Sequence, residues 1–351
     1  MILDDIIGRM EIDRRNMLVT ARSFPEQCEE AIKIGREFSK KLRMKKPKRV
    51  FVCGMGGSAI AGDILRTWLK NSDINVIRSY DIPGYISKED LVFVSSYSGN
   101  TEETLSMFGQ AVRKKYKLIV ISSGGKLERK CKEAKIPLIR VPAGMQPRAA
   151  IAYLFFPMVV VLKKLRFFRE RADLKKVVEN LREVRNEISP EVRTRENMAK
   201  RIAIRLRGKI PLIYGFGRFE GVALRTKAQF NENSKAHSFC ETLPEMNHNA
   251  IMGWKASREL NKKLAVIFIR DKEESEEMTK RVEFTEDVVK NAGGSVIEIH
   301  SIYKSTLSRI LSVMYTLDFA SIYLAILHRK DPSDTELITD LKFILRECDK
   351  I

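Results

Sequence analysis

From Arg49 onward the chain alternates short apolar runs rich in β-branched residues with longer charged stretches of helical period. Val50-Phe51-Val52-Cys53, Asn75-Val76-Ile77-Arg78-Ser79-Tyr80, Leu91-Val92-Phe93-Val94-Ser95 and Leu118-Ile119-Val120-Ile121 are mostly continuous rather than alternating, as strands covered on both faces require. Between them, 58–70, 101–115 and 126–134 have the length and charge of covering helices. This βαβ series predicts a mainly parallel sheet, with 137–141 as a last strand.

The stretch 150–206 then reads as mostly helical, and Asp173-Leu174-Lys175-Lys176-Val177-Val178-Glu179-Asn180-Leu181 places its apolar residues at helical spacing. Alternation resumes at Pro211-Leu212-Ile213-Tyr214 and continues through 263–269 and 295–299, with a helix over 273–291 closed by Gly293-Gly294. Two further helices, 309–328 and 335–348, complete the chain. The halves echo one another, because Gly54-Met55-Gly56-Gly57 follows the first strand of one and Gly215-Phe216-Gly217 the first strand of the other. The expected fold class is α/β with two related lobes, each a mainly parallel sheet flanked by helices. The expected divisions are an N-terminal helical segment (1–48), a first lobe (49–150), a helical connector (151–207), a second lobe (208–332) and a C-terminal helix (333–351).

Composition narrows the setting. A chain of 351 residues with 44% hydrophobic content can fill two cores. Its five cysteines, Cys28, Cys53, Cys131, Cys240 and Cys348, form no Cys-x-x-Cys pair, which argues against a disulfide framework or a structural zinc site. Met1-Ile2-Leu3-Asp4-Asp5 is acidic where a secretory leader would be basic, so a cytoplasmic location is expected. The apolar run 149–162 is too short to span a bilayer and contains Pro157, so it reads as a core helix and no membrane partner is expected.

The formal charge of +19 suits nucleic acid, an anionic small substrate or plain solvation, and charge alone does not choose. Its basic residues fall in short groups such as Lys45-Lys46-Pro47-Lys48-Arg49, never one long tail. The segment 1–48 is too short and irregular for a helix-turn-helix, so nucleic acid is not the expected partner. A generally basic surface would attract a phosphorylated small molecule.

Two segments carry candidate chemistry. Gly54-Met55-Gly56-Gly57-Ser58 lies where a strand hands over to a helix, so backbone can approach a ligand and a helix N-terminus can face an anion. It does not extend to a dinucleotide fingerprint, which would need glycine at Ala59. Ser96-Tyr97-Ser98-Gly99-Asn100-Thr101 gathers hydroxyls and a glycine directly before a helix, a composition suited to phosphate. The plainer reading is a helix cap by Asn100 or Thr101 with Glu103 completing a box-like pattern, which accounts for one side chain of the cluster.

Together these two segments resemble a sugar isomerase (SIS) domain. Within that superfamily the chain is most similar to the bifunctional phosphoglucose/phosphomannose isomerases. The similarity runs through Pro147-Arg148-Ala149-Ala150, Asn231-Glu232-Asn233-Ser234-Lys235, Pro244-Glu245-Met246-Asn247-His248-Asn249 and Gly253-Trp254. The resemblance implies two SIS-type lobes and phosphate-binding hydroxyls at Ser58, Ser96, Ser98 and Thr101, with the Gly57 backbone beside the substrate. It implies Glu232 as catalytic base, Arg148 beside the reacting carbons, His248 assisting ring opening and Lys342 near the C-terminus. Thr335 falls at a threonine that some relatives carry ahead of that lysine, linked to acceptance of the mannose epimer. Asn233 and Asn249 are supporting residues by the same resemblance, and Trp254 reads as core.

Aldose–ketose isomerisation explains these residue types. One carboxylate can both remove and return the proton moved between C1 and C2, and a guanidinium can stabilise the enediolate without donating a proton. Histidine and lysine can exchange protons with the ring oxygen and the C1 hydroxyl while the ring opens. The resemblance further implies a homodimer in which His248 reaches the partner's site. No tight His/Asp/Glu ligand set appears, so neither metal nor cofactor is expected. Two other readings remain: a glucosamine 6-phosphate synthase isomerase half, disfavoured by the absence of an early nucleophilic cysteine, and a non-enzymatic sugar-phosphate-sensing regulator.

Overall fold

A computed structural model describes residues 2–348, with side chains given through residue 345. The chain opens on helices α1 (Ile6–Ile12), α2 (Met17–Arg22) and α3 (Phe24–Lys41). Phe24, Cys28, Ala31, Ile32 and Gly35 recur at helical spacing and form the buried face of α3, while its lysines and glutamates face water.

The first sheet contains β1 (Val50–Cys53), β2 (Ile74–Ile77), β3 (Leu91–Ser95), β4 (Lys117–Ser122) and β5 (Leu138–Arg140). Helices α4 (Gly56–Trp68), α5 (Glu102–Arg113) and α6 (Gly125–Ala134) connect them. Every pairing is parallel and the order is β2-β1-β3-β4-β5, so the chain steps outward from β1 to β2 and then reverses to β3. That reversal opens a crevice at the carboxyl ends of β1 and β3, the usual ligand position of such sheets. Both strands are wholly buried, which is why they read as unbroken apolar runs.

Helices α7 (Ile151–Lys164), α8 (Leu174–Ile188) and α9 (Met198–Leu206) follow. The second sheet contains β6 (Ile210–Phe216), β7 (Phe239–Leu243), β8 (Leu264–Ile269) and β9 (Ser295–Ile299), with α10 (Glu220–Ser234), α11 (Arg258–Asn261) and α12 (Glu276–Asn291) between them. Its order, β7-β6-β8-β9, repeats the outward step and reversal of the first sheet, again with parallel pairs throughout. Helices α13 (Thr306–Leu327) and α14 (Glu336–Cys348) finish the described chain.

One apolar cluster joins the two sheets through α3, α4, α7, α9, α10 and α13. Helix α13 is long and apolar enough to cross a membrane, but its apolar window is entirely buried in protein, as a core helix would be. Pro157 lies inside α7, and that helix is likewise buried along its apolar run. At the seam α10 approaches α4 closely because Gly221 has no side chain: a Cβ there would lie 2.8 Å from Thr67 Oγ1 and 2.9 Å from the Asp63 carbonyl.

Two elements depart from the sequence pattern. The second strand ends at Ile77 rather than running to Tyr80, because the Arg78 side chain leaves the sheet direction to pair with Asp63 of α4. Strand β7 was not legible at all: it is an edge strand with an exposed Phe239 and the polar pair Glu241 and Thr242, so it lacks an apolar run. Cys28, Cys53, Cys131 and Cys240 are free thiols, while the side chain of Cys348 lies outside the described ones.

Candidate active site

The loops leaving β1 and β3 lie side by side because their strands are neighbours in the sheet. Ser58, in the first turn of α4, accepts the Tyr97 N–H on its hydroxyl at 3.2 Å. Ser96 Oγ lies 3.0 Å from Thr101 Oγ1 and accepts the Gly99 N–H at 3.2 Å, while Ser98 Oγ accepts that of Asn100 at 3.3 Å. Ser58, Ser96, Ser98 and Thr101 thus belong to one loop cluster above the crevice. Gly99 is required at its bend: φ is +67°, and a Cβ would sit 1.8 Å from the Gly124 carbonyl oxygen.

Helix capping does not absorb this cluster. Thr101 occupies the N-cap position of α5 with no capping bond from its side chain, and Asn100 Oδ1 instead accepts the Lys126 N–H at the start of α6. No side chain caps α4 either. Two helix N-termini without side-chain caps therefore adjoin the same hydroxyls, and their first-turn N–H groups suit an anion.

Arg148 stands in a short 3-10 turn (Pro147–Ala149) just ahead of α7. Gly57 brings it to the phosphate-type loop, since a Cβ on Gly57 would lie 3.1 Å from the Pro147 carbonyl oxygen and 3.2 Å from Arg148 Cα. Tyr97 links the same parts from below: its hydroxyl donates to the Pro142 carbonyl at 2.8 Å and accepts the Met145 N–H at 3.1 Å.

From this position the Arg148 side chain crosses to the other lobe. Its Nη1 donates to Glu232 Oε2 at 3.4 Å and its Nε to Asn233 Oδ1 at 2.6 Å, both at the C-terminal end of α10. Asn233 is held by its own donation to Ser321 Oγ of α13 at 2.9 Å. Arg225 Nη2 holds the Arg148 carbonyl at 3.0 Å while pairing with Asp318 Oδ2 at 2.8 Å. Burial pushes the Arg148 guanidinium down from its ordinary value, opposed by Glu232, Asp331 and Asp334, and an arginine remains a cation under that load. The arginine is 3% exposed and the glutamate side chain 30%, so the carboxylate is the partner open to a substrate.

The remaining sequence candidates make no hydrogen bond to Arg148 or Glu232 among the described residues. His248 ends a 3-10 turn after β7, is exposed, and its side chain makes no hydrogen bond among the described residues. Thr335 directly precedes α14, three residues after Pro332, whose carbonyl accepts from Arg148 Nη2. Lys342 projects from α14 into solvent without an ion pair among the described residues. Asn249 donates to Glu245 Oε1 at 2.8 Å, and Trp254 is buried as core. Among the described residues no group of three or more His, Cys, Asp or Glu side chains is placed to hold a metal ion. Tyr97, Arg225 and Gln146, whose Nε2 donates to the Ser333 carbonyl at 3.3 Å, were missed by sequence reasoning, since they hold backbone of segments distant in the chain and no local spacing encodes that.

This geometry has counterparts. Residues 43–162 match the SIS domain, and residues 195–345 match the bacterial phospho-glucose isomerase C-terminal SIS domain. A hypothetical protein from Thermus thermophilus shares the fold with a TM-score of 0.76, 14% identity, and coverage of 97% of this chain and 94% of that one. The C-terminal domain of glucosamine-fructose-6-phosphate aminotransferase from Francisella tularensis follows it at 0.67 and 15%, covering 91% and 98%. In sequence, the chain is 37% identical to a bifunctional phosphoglucose/phosphomannose isomerase of Caldicellulosiruptor bescii over 94% of its own length and 99% of the relative's. It is 33% identical to one of Aquifex aeolicus over 86% and 91%, and 30% identical to a D-glucosamine-6-phosphate 4-epimerase of Sulfolobus acidocaldarius over 80% and 84%. Two lobes of one topology, joined across their seam by an arginine and a glutamate and matched along nearly their whole length, establish that this chain belongs to the bifunctional phosphoglucose/phosphomannose isomerase family.

Proposed function

We propose that the protein interconverts glucose 6-phosphate and mannose 6-phosphate with fructose 6-phosphate, as a cytoplasmic enzyme without a metal or other cofactor. The observation that carries this reading is the meeting of Arg148 with Glu232 at 3.4 Å beside a hydroxyl-rich loop and two helix N-termini without side-chain caps. The substrate phosphate sits on Ser58, Ser96, Ser98 and Thr101 with the Gly57 backbone alongside, which directs C1 and C2 toward the seam.

Glu232 then takes the proton from C2 of the open-chain aldose, leaving an enediolate, and returns it to C1 to give the ketose. Arg148 offers fixed positive charge to the oxygen that becomes negative in between. Glucose and mannose differ only at C2 and share one enediolate, so return of the proton to either face of C2 serves both epimers; Thr335 is assigned to that tolerance. Lys342 and His248 of the partner subunit exchange protons during ring opening.

A homodimer follows from that last role, since His248 makes no bond to Glu232 within one protomer. The apolar side of α14, with Leu337 84%, Leu341 57% and Ile344 59% exposed, is surface of the kind that association covers. The test is incubation of the purified protein with fructose 6-phosphate in excess EDTA, with products identified by NMR. Glucose 6-phosphate together with mannose 6-phosphate is the expected result. A folded protein that binds the sugar phosphate and returns it unchanged would sink the enzyme reading in favour of a sensor.

A further inference from the structure

Between α13 and α14 the segment 331–334 has no regular structure, yet side chains from the site take all four of its carbonyls. Lys235 Nζ donates to the Asp331 carbonyl at 2.8 Å and to that of Asp334 at 3.0 Å. Arg148 Nη2 takes the Pro332 carbonyl between them, and Gln146 Nε2 takes that of Ser333 at 3.3 Å. Lys235 also donates to the Glu232 carbonyl at 2.9 Å, closing the C-terminal end of α10, where a cation is favoured by the helix dipole. Its hydrogen bonds all go to carbonyl oxygens, while Asp331, Asp334 and Glu232 add favourable charge at longer range.

A lysine that only closed a helix would need the α10 carbonyls and nothing more. The two bonds to 331 and 334 join that helix end to the segment leading into α14. Asp331-Pro332-Ser333-Asp334 has one apolar residue, so packing alone cannot fix its path, and polar contacts must do so. Thr335 follows at the N-terminal boundary of α14, and Lys342 lies within that helix seven positions on, about two helical turns away.

We infer that Lys235 is a positioning residue: it fastens the 331–334 strap to the end of α10 and so sets Thr335 and the start of α14 in register with the Glu232 carboxylate. What the held residues do rests on the isomerase reading above, whereas the clamp itself is geometric. Lys235 is exposed, so its replacement removes the clamp without opening the core.

The experiment compares full-length wild type, Lys235→Met and Lys235→Arg by hydrogen exchange and by steady-state kinetics with fructose 6-phosphate. In Lys235→Met the amides of Ser333 and Thr339, bonded to Asp331 Oδ1 and the Thr335 carbonyl, should exchange faster, while β6 and β8 stay as protected as before. The same variant should lose roughly 10- to 100-fold in kcat with KM altered less than about threefold, because the phosphate is held on the other lobe. Arginine, which can also donate to several carbonyls, should restore part of both. Wild-type exchange across 331–342 in Lys235→Met overturns the inference, as does faster exchange spread equally through β6 and β8. A wild type inactive on fructose 6-phosphate would remove the proposed function, and the exchange comparison, which needs no turnover, would still decide the clamp.

Discussion

Arg148 reaches Glu232 at 3.4 Å across the seam between the lobes, from a position 84 residues earlier in the chain. The guanidinium is buried and the carboxylate partly open, so the proposed substrate would meet the carboxylate with the positive charge already behind it. Glu232→Gln keeps an oxygen to accept from Arg148 and removes the proposed base. We expect kcat to fall by about a thousandfold with little change in KM or in the thermal midpoint, read by a coupled assay for glucose 6-phosphate and by calorimetry. A variant retaining more than about a tenth of wild-type kcat would mean that another group moves the proton.

The proposed phosphate loop and the proposed reacting end can be separated by substitution. Thr101→Val keeps the size of the side chain and loses the hydroxyl beside Ser96, so KM for fructose 6-phosphate should rise roughly 10- to 100-fold, the worth of one hydrogen bond to a charged group. Gly57→Ala instead forces the loop away from Pro147 and Arg148, and should lower kcat by about tenfold as well. Equal kinetic signatures for the two variants would show that Gly57 acts on phosphate alone.

Much of the fold is legible in the sequence. Strands buried on both faces betrayed themselves as unbroken apolar runs, and 50–53 and 91–95 begin and end where their residues change character. The hydroxyl loop stood out because capping explains only one of its side chains. What was hidden depends on packing between distant segments. The edge strand β7 carries no apolar run, and the Arg225–Asp318 pair joins α10 to α13 over a separation of 93 residues. Arg148 itself was named by resemblance, while its grip on Asn233 and Pro332 appears only when the lobes are folded together.

That Arg225–Asp318 pair supports Arg148 from behind and is almost wholly buried. Burial pushes the Asp318 carboxyl up, against the downward pull of Arg225. Asp318→Ala leaves a guanidinium without its counter-charge in the core and should cost about 3–5 kcal/mol of unfolding free energy in urea, whereas Asp318→Asn, which still accepts a hydrogen bond, should cost less. If alanine is no worse than asparagine, the site is open to water and the pair is not a buried one.

Acid sensitivity should trace in part to Asp90, whose carboxylate accepts from Arg49 Nη2 at 2.7 Å and from the Ser87 N–H at 2.7 Å and hydroxyl at 2.9 Å. Burial alone would push it up, but Arg49 and Ser87 outweigh burial and bring it down to about 2. A carboxylate with a depressed folded pKa stabilises above its unfolded value of about 4, and that contribution is lost as pH falls through the folded value. The stability difference between wild type and Asp90→Asn should therefore be full at neutral pH and close between about pH 4 and pH 2. A difference that persists unchanged to pH 2 would assign it to packing rather than to charge.

The proposed shared-site dimer makes the most demanding prediction, because it concerns two defective proteins. If Glu232 of one subunit works with His248 of the other, Glu232→Gln and His248→Ala homodimers each contain two damaged sites. A heterodimer of the two places both defects in one site and leaves the other intact. Random reassortment of equal amounts makes half of the dimers mixed, so about a quarter of wild-type activity should return from two nearly inactive preparations. Native mass spectrometry confirms the mixed species, and refolding from denaturant supplies the exchange. Mixed dimers without recovered activity would place His248 at its own subunit's site or outside the chemistry, and full activity in a protomer that sediments as a monomer would remove the need for a partner.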